Sequence, residues 1–207
     1  MKNVESKISL KWPLINLGIA GIAFSSMVIL SPVRNLTISS SYAKSAASAN
    51  NQAEPTSVIG LPVLLNIPSI NVNAKVEYLG VTPQGAMDVP KGPSDVAWFD
   101  LGPRPGQIGS SVIAGHFGWK DGISAAFDNL GELQKGDKIY VKDENGATTT
   151  FVVSGIRKYD ENQDASDVFY SSDGIAHLNL ITCEGVWNKA NKSYSNRVVV
   201  FTDEISI

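Results

Sequence analysis

Apolar positions in this chain alternate with two different rhythms. From Gly60 onward they come in short runs broken by Pro, Asn and Gly. "LPVLLNIPSINVNAKVEYLGV" is rich in β-branched residues with such breaks, which predicts short strands. "SSVIAGH", residues 110–116, is an apolar run that ends on a histidine. "KIYVKD" and "TTTFVVSGIRKYD" flank Glu144-Asn145-Gly146, a hairpin signal. In "AHLNLITC", residues 176–183, Leu178, Leu180 and Thr182 alternate with His177, Asn179, Ile181 and Cys183, so Cys183 shares a face with Asn179 and Ile181. "RVVVFTDEI", residues 197–205, reads as the last strand. "GISAAFDNLGEL", residues 122–133, is the one stretch that predicts a helix, of about two turns. The expected fold is mainly β: a single closed or nearly closed barrel of about seven to eight strands, with one or two short helices.

The second rhythm is at the start. Lys2, Lys7 and Lys11 precede "PLINLGIAGIAFSSMVIL", residues 13–30, which carries no charge. Eighteen helical residues reach roughly 27 Å, close to the thickness of a bilayer core. The expected organisation is a cytoplasmic N-terminus over 1–12, a transmembrane signal-anchor over 13–31, a flexible Ser-, Ala- and Asn-rich linker over 32–59, and a folded domain over 60–207. Localisation follows as single-pass in the cell membrane, N-terminus inside, folded domain extracellular. Cleavage as a signal peptide is the alternative; Ala47-Ser48-Ala49 fits the small-residue pattern but lies far beyond the apolar run.

Composition changes this picture little. The 207 residues hold 43% hydrophobic and 18% charged side chains, enough for a core and against global disorder. Formal net charge is -3. With no basic patch or Arg-rich stretch, nucleic acid is not an expected partner.

Cysteine count changes it more. Cys183 is the only one, so no intrachain disulfide exists. An odd thiol in an exported chain points to reactivity or to pairing with another chain; its bland reading is a small buried hydrophobe. Thiol chemistry needs a proton partner and a donor for the oxyanion formed when a carbonyl is attacked. The chain has two histidines. His177 is six residues from Cys183 in one strand, roughly 20 Å away. His116 comes from another strand and is favoured. Arg197 opens the strand that follows Cys183, after the thirteen residues "EGVWNKANKSYSN", and there its guanidinium faces the thiol at one rim. An ordinary surface arginine is the alternative. No metal ligand set is spaced for zinc. In "DENQDASD", Asp160, Asn162 and Asp164 start like a calcium loop, but Ala165 and Ser171 stand where Gly and Glu are needed.

These segments resemble the sortase family over roughly residues 60–205. "IPSINVNAKVEYLG" is similar to the family's opening strands, "PGQIGSSVIAGHFGW" to its histidine segment and "AFDNLGELQKGDKIYV" to the helix and Gly-Asp turn that follow. "LNLITC" resembles the Thr-Leu-x-Thr-Cys signature, with Asn179 in place of the first Thr, and "RVVVF" resembles the arginine strand. "LITCEG" followed by Trp187 looks closer to the class F group than to class A.

The resemblance implies a cysteine transpeptidase. Cys183 would attack the Thr–Gly bond of a Leu-Pro-x-Thr-Gly-type sorting signal and form a thioester, with His116 moving protons and Arg197 holding substrate and oxyanion. Thr182, Trp187 and Tyr194 are the substrate-binding candidates, in a groove walled by residues 158–176 and 184–196. Partners would be surface proteins with such a C-terminal signal, an amine acceptor such as a peptidoglycan precursor or pilin lysine, and the lipid bilayer. No cofactor or metal is implied, with calcium activation left as an alternative. A cysteine L,D-transpeptidase would carry His-Gly-Cys, whereas Ile181-Thr182 precede Cys183 here. The alternative from another class is a catalytically inert, membrane-anchored β-domain used for binding, with Cys183 structural.

Overall fold

The Pro and Asn breaks become turns, and the runs between them become strands. In the computed structural model, which describes residues 58–190 and 193–205, β1 (Pro62–Ile67) and β2 (Val72–Leu79) form a hairpin around the short 3-10 turn Pro68–Ile70. Pro68 presets the turn and Asn71 closes it at φ 56°, a left-handed value that Asn tolerates. β3 (Val96–Phe99), β4 (Gly109–Gly115), β5 (Lys138–Asp143), β6 (Thr148–Asp160), β7 (Ala176–Asn188) and β8 (Ser193–Glu204) complete the set. They close a barrel in the order β1-β2-β3-β4-β7-β8-β6-β5, so the eight-stranded expectation holds. The 144–146 hairpin signal is the β5–β6 turn, where both Asn145 and Ala147 donate backbone N–H bonds to Asp143 Oδ1.

Two expectations are corrected. Residues 122–133 do not form a two-turn helix; they fold into tight turns ending in the 3-10 turn Leu130–Glu132. Asp128 is the cause, since one oxygen accepts from Gly118 N–H and the other from Ala125 N–H, closing loops where a helix would run. The one α-helix among the described residues, α1 (Ser166–Phe169), begins instead inside "DENQDASD". Residues 184–196 are not a loop either. β7 and β8 carry the ladder outward to the pair Asn188–Ser193, past a bulge between Glu184 and Trp187. Gly185 takes φ 90° there, and Trp187 packs edge-on against Tyr194 at 5.0 Å. Cys183 and Arg197 therefore sit inside strands, not at their ends. The expected transmembrane segment and linker lie outside the described residues.

β4 and β7 run parallel, as do β2 and β3. Each parallel link needs a chain crossover, and the last leg of the one between β4 and β7, residues 161–175, runs from β6 to β7 across the outer face of the sheet. This gives two apolar clusters. Leu65, Ile67, Ile113, Phe127, Phe151, Leu178, Leu180 and Val200 fill the barrel. Ala165 and Val168 of the crossover pack outside it with Val112, Ile181, Cys183 and Val199. β4 is buried along nearly its whole length because both clusters press on it, which explains its continuous apolar run.

Candidate active site

Strand register brings the candidates together. β4 and β7 pair with a constant offset, from Gly109–Ala176 to Ala114–Ile181. Thr182 Oγ1 donates to Gly115 O at 2.9 Å across the same offset of 67 residues. One step further along the same offset, just past the end of β4, His116 corresponds to Cys183. On the other side Cys183 is the direct partner of Arg197, and Arg197 is the partner of Tyr159 on β6. Cys183, Arg197 and Tyr159 thus form one row across three neighbouring strands, each step about 4.8 Å in the hydrogen-bonding direction, and the β4–β7 register extended past the strand end runs on to His116.

Gly115 lets His116 reach this row. A Cβ there would lie 2.5 Å from the Phe127 ring, so only glycine fits. Phe127 N–H in turn donates to His116 O at 3.1 Å, tying the turn to the strand end. The imidazole is 6% exposed. Its Nε2 lies 2.7 Å from Pro90 O, which requires Nε2 to carry the proton that bond uses. Trp119 packs edge-on at 4.7 Å. Burial holds the His116 pKa below its ordinary value, against the opposing pull of the Pro90 carbonyl and Glu77.

Cys183 is 4% exposed. Burial pushes its thiol up, and the Arg197 charge draws it partway back. Arg197 is 1% exposed, donating from Nη1 to the carbonyls of Tyr194 and Asn196 and from Nη2 to Ser193 Oγ. The ladder itself therefore orients the guanidinium. The raised thiol and the depressed imidazole favour the neutral Cys–His pair at neutral pH, with the thiolate–imidazolium form a minority. The ladder sets a thiol and a fixed cation face to face, and the β4–β7 register leads from the thiol toward the imidazole of His116.

The remaining candidates divide. Tyr194 joins the site: burial and the Cys183 and Asp128 charges raise its pKa, its ring meets Phe117 at 5.6 Å, and a Cβ at Gly118 would lie 3.3 Å from its hydroxyl. Trp187 backs Tyr194 from the outer hairpin. Thr182 faces the barrel side, bonded to Gly115 O, and pins β7 to β4 directly below the row. His177 is far along β7, between Asp173 and Asp203.

The acidic stretch has its own partners. Asp160 accepts from Asn196, Asp164 from Ser166, and Asp167 from both Tyr159 and Arg157. Among the described residues no group of three or more His, Cys, Asp or Glu is placed to hold a metal ion. Sequence reasoning missed Tyr159 and the Pro90 carbonyl. Tyr159 was legible from the even spacing of β6, whereas Pro90 arrives on the 80–95 crossover, whose path no local pattern encodes.

A cysteine inside one strand, an arginine opposite it on the next and a histidine just past the end of the strand on its other side make a site suited to thiol chemistry on a small β-barrel. Residues 65–205 match the Sortase domain family, and the chain belongs to it. Sortases are cysteine transpeptidases. Among solved structures the chain is similar to sortase C-1 of Actinomyces oris, at 25% identity and TM-score 0.54, over 70% of this chain and 73% of that one. It is similar to a lid mutant of sortase A from Corynebacterium diphtheriae, at 20% identity and TM-score 0.56, over 74% and 75%. A third likeness is to sortase C1 of Streptococcus agalactiae, at 22% and 0.56, over 70% and 67%. No curated protein sequence matches significantly.

Proposed function

We propose that this sortase uses Cys183, His116 and Arg197 to cut a Leu-Pro-x-Thr-Gly-type sorting signal between Thr and Gly and to join the Thr to an amine. The carrying observation is the row itself: Arg197 directly opposite Cys183, and His116 on the register step beside it. The Cys183 thiolate attacks the Thr carbonyl carbon. The oxyanion takes hydrogen bonds from Arg197, whose charge is already held there, so little reorganisation is needed. The C–N bond breaks as the His116 imidazolium gives its proton to the departing glycine amine, leaving a thioester. An incoming amine then attacks the thioester, His116 takes a proton from it, and the Cys183 thiolate leaves.

Because the reactive ion pair is a minority form, turnover is slow. Tyr194, Trp187 and Phe117 form an apolar flank that limits water at the thioester, so an amine wins over hydrolysis. The acceptor is a peptidoglycan precursor or a pilin lysine, and "LITCEG" with Trp187 supports a class F-like enzyme. Residues 13–31 anchor the chain in the cell membrane, with the barrel outside.

The test is the full chain mixed with a Leu-Pro-x-Thr-Gly peptide and an amine, followed by intact mass spectrometry. An acyl adduct that is absent from Cys183→Ala supports this reading. The burial of Cys183 favours one competitor, a binding domain with an inert thiol; no adduct and no alkylation by iodoacetamide in the folded protein would establish it.

A further inference from the structure

The group that the row leaves unused is His177. Its Nδ1 lies 2.8 Å from Asp203 Oδ1, and its Nε2 lies 3.0 Å from Asp173 Oδ2. A neutral imidazole has one N–H, so its other nitrogen would aim a lone pair at a carboxylate oxygen. Only the imidazolium satisfies both contacts. Asp203 belongs to β8, and Asp173 belongs to the far end of the 161–175 crossover. Asp173 also accepts from Ile175 N–H and Ser171 Oγ–H, so it organises the last residues of that crossover before β7 begins.

The same crossover is fastened at two other points. Asp167 accepts from Tyr159, the neighbour of Arg197 in the row. Val168 O accepts from Asn179 Nδ2 at 2.6 Å. Beside these points Ala165 and Val168 pack in the cluster that contains Cys183. The crossover therefore covers the face of β7 on which the thiol stands, and His177 bolts its far end.

We propose that His177 is a positioning residue: as an imidazolium clamped between Asp173 and Asp203 it holds the 161–175 crossover against β7, and loss of its proton loosens that wall and lowers the rate of transpeptidation. This rests on the reading of the Cys183 row as the site of the reaction. The groups facing His177 are Asp203 from β8, Asp173 from the crossover and the uncharged Ser110, its partner on β4. Both carboxylates raise the His177 pKa above its ordinary value, outweighing burial, and the contact holds Asp173 down at about 2. The clamp is intact at pH 6, where the carboxylates are ionised and the imidazole is charged, and is lost as pH rises through the raised His177 pKa.

The test uses the full chain in lipid nanodiscs with ring-15N histidine; the two histidines give few signals. The expected result is imidazolium nitrogen shifts at His177 through neutral pH, titrating above the ordinary 6.5. Asp173→Asn should lower that midpoint by about one pH unit. It should speed amide exchange of residues 170–176 at pH 6 at least tenfold, and move the His177-dependent fall of kcat/KM by the same unit. A role confined to stability would leave the pH profile where it was. A His177 midpoint at or below 6.5, or a kcat/KM profile that Asp173→Asn does not move, overturns the proposal. A wild-type chain inert to every sorting peptide overturns the transpeptidase reading instead, and the nitrogen shifts and amide exchange then judge the clamp by themselves.

Discussion

The two histidines of this chain sit toward opposite ends of the same pair of parallel strands, and their surroundings act on them in opposite directions. His116 stands past the end of β4, buried among Phe127, Trp119 and the Pro90 carbonyl, and its pKa is depressed. His177 stands near the start of β7, half-buried between two carboxylates, and its pKa is raised. One environment keeps an imidazole neutral and ready to take or give a proton; the other keeps it charged and fixed. Residue type alone says nothing about which histidine does chemistry. Its neighbours decide.

The strongest way to break this contrast is deletion. His116→Ala should cut peptide transfer by about 10^3-fold, within the range for losing a proton carrier. His177→Ala should cost no more than about tenfold at pH 7, a loss of wall order alone. Comparable losses in a kcat/KM assay would erase the distinction. Gly115→Ala comes next: its Cβ would collide with the Phe127 ring, so it should destabilise the barrel by about 1–3 kcal/mol in denaturant titration and displace His116.

A pH series sharpens the contrast further. With its folded pKa lowered, His116 contributes stability that is full above the unfolded value of about 6.5 and is lost as pH falls toward its folded pKa. With its folded pKa raised, His177 contributes stability that is full below about 6.5 and is lost as pH rises through its folded pKa. Melting curves of His116→Gln and His177→Gln from pH 5 to 9 should therefore lose opposite arms. The smallest effect belongs to Arg157→Ala. Its pair with Asp167 is exposed on both sides, so chemical denaturation should change by at most about 0.5 kcal/mol.

Much of this was legible in the sequence, and the misses share a cause. The alternation in "AHLNLITC" put Cys183 on one face with Ile181 and away from Leu180, and the two clusters separate them in the same way, with the Cys183 face outside the barrel. The distance along β7 separated His177 from the thiol before any coordinates. What failed were segments ruled by single side-chain bonds. Asp128 turned 122–133 away from a helix, and the Trp187–Tyr194 pair extended a hairpin through residues that read as loop. Residues 158–176 read only as a groove wall, because nothing local shows that Asp167 and Asp173 each have partners on strands. Periodicity reports which face is buried; it does not report which distant atom waits for a carboxylate.

The offset of 67 residues between β4 and β7 has a kinetic meaning as well. His116 and Cys183 become neighbours only when a long stretch of chain has been drawn in and two parallel strands have paired, the slowest kind of contact to form. Until then the thiol lacks its proton partner and is an ordinary cysteine. A chain caught half-assembled carries no armed nucleophile. Closure of the barrel and arming of the enzyme are one event.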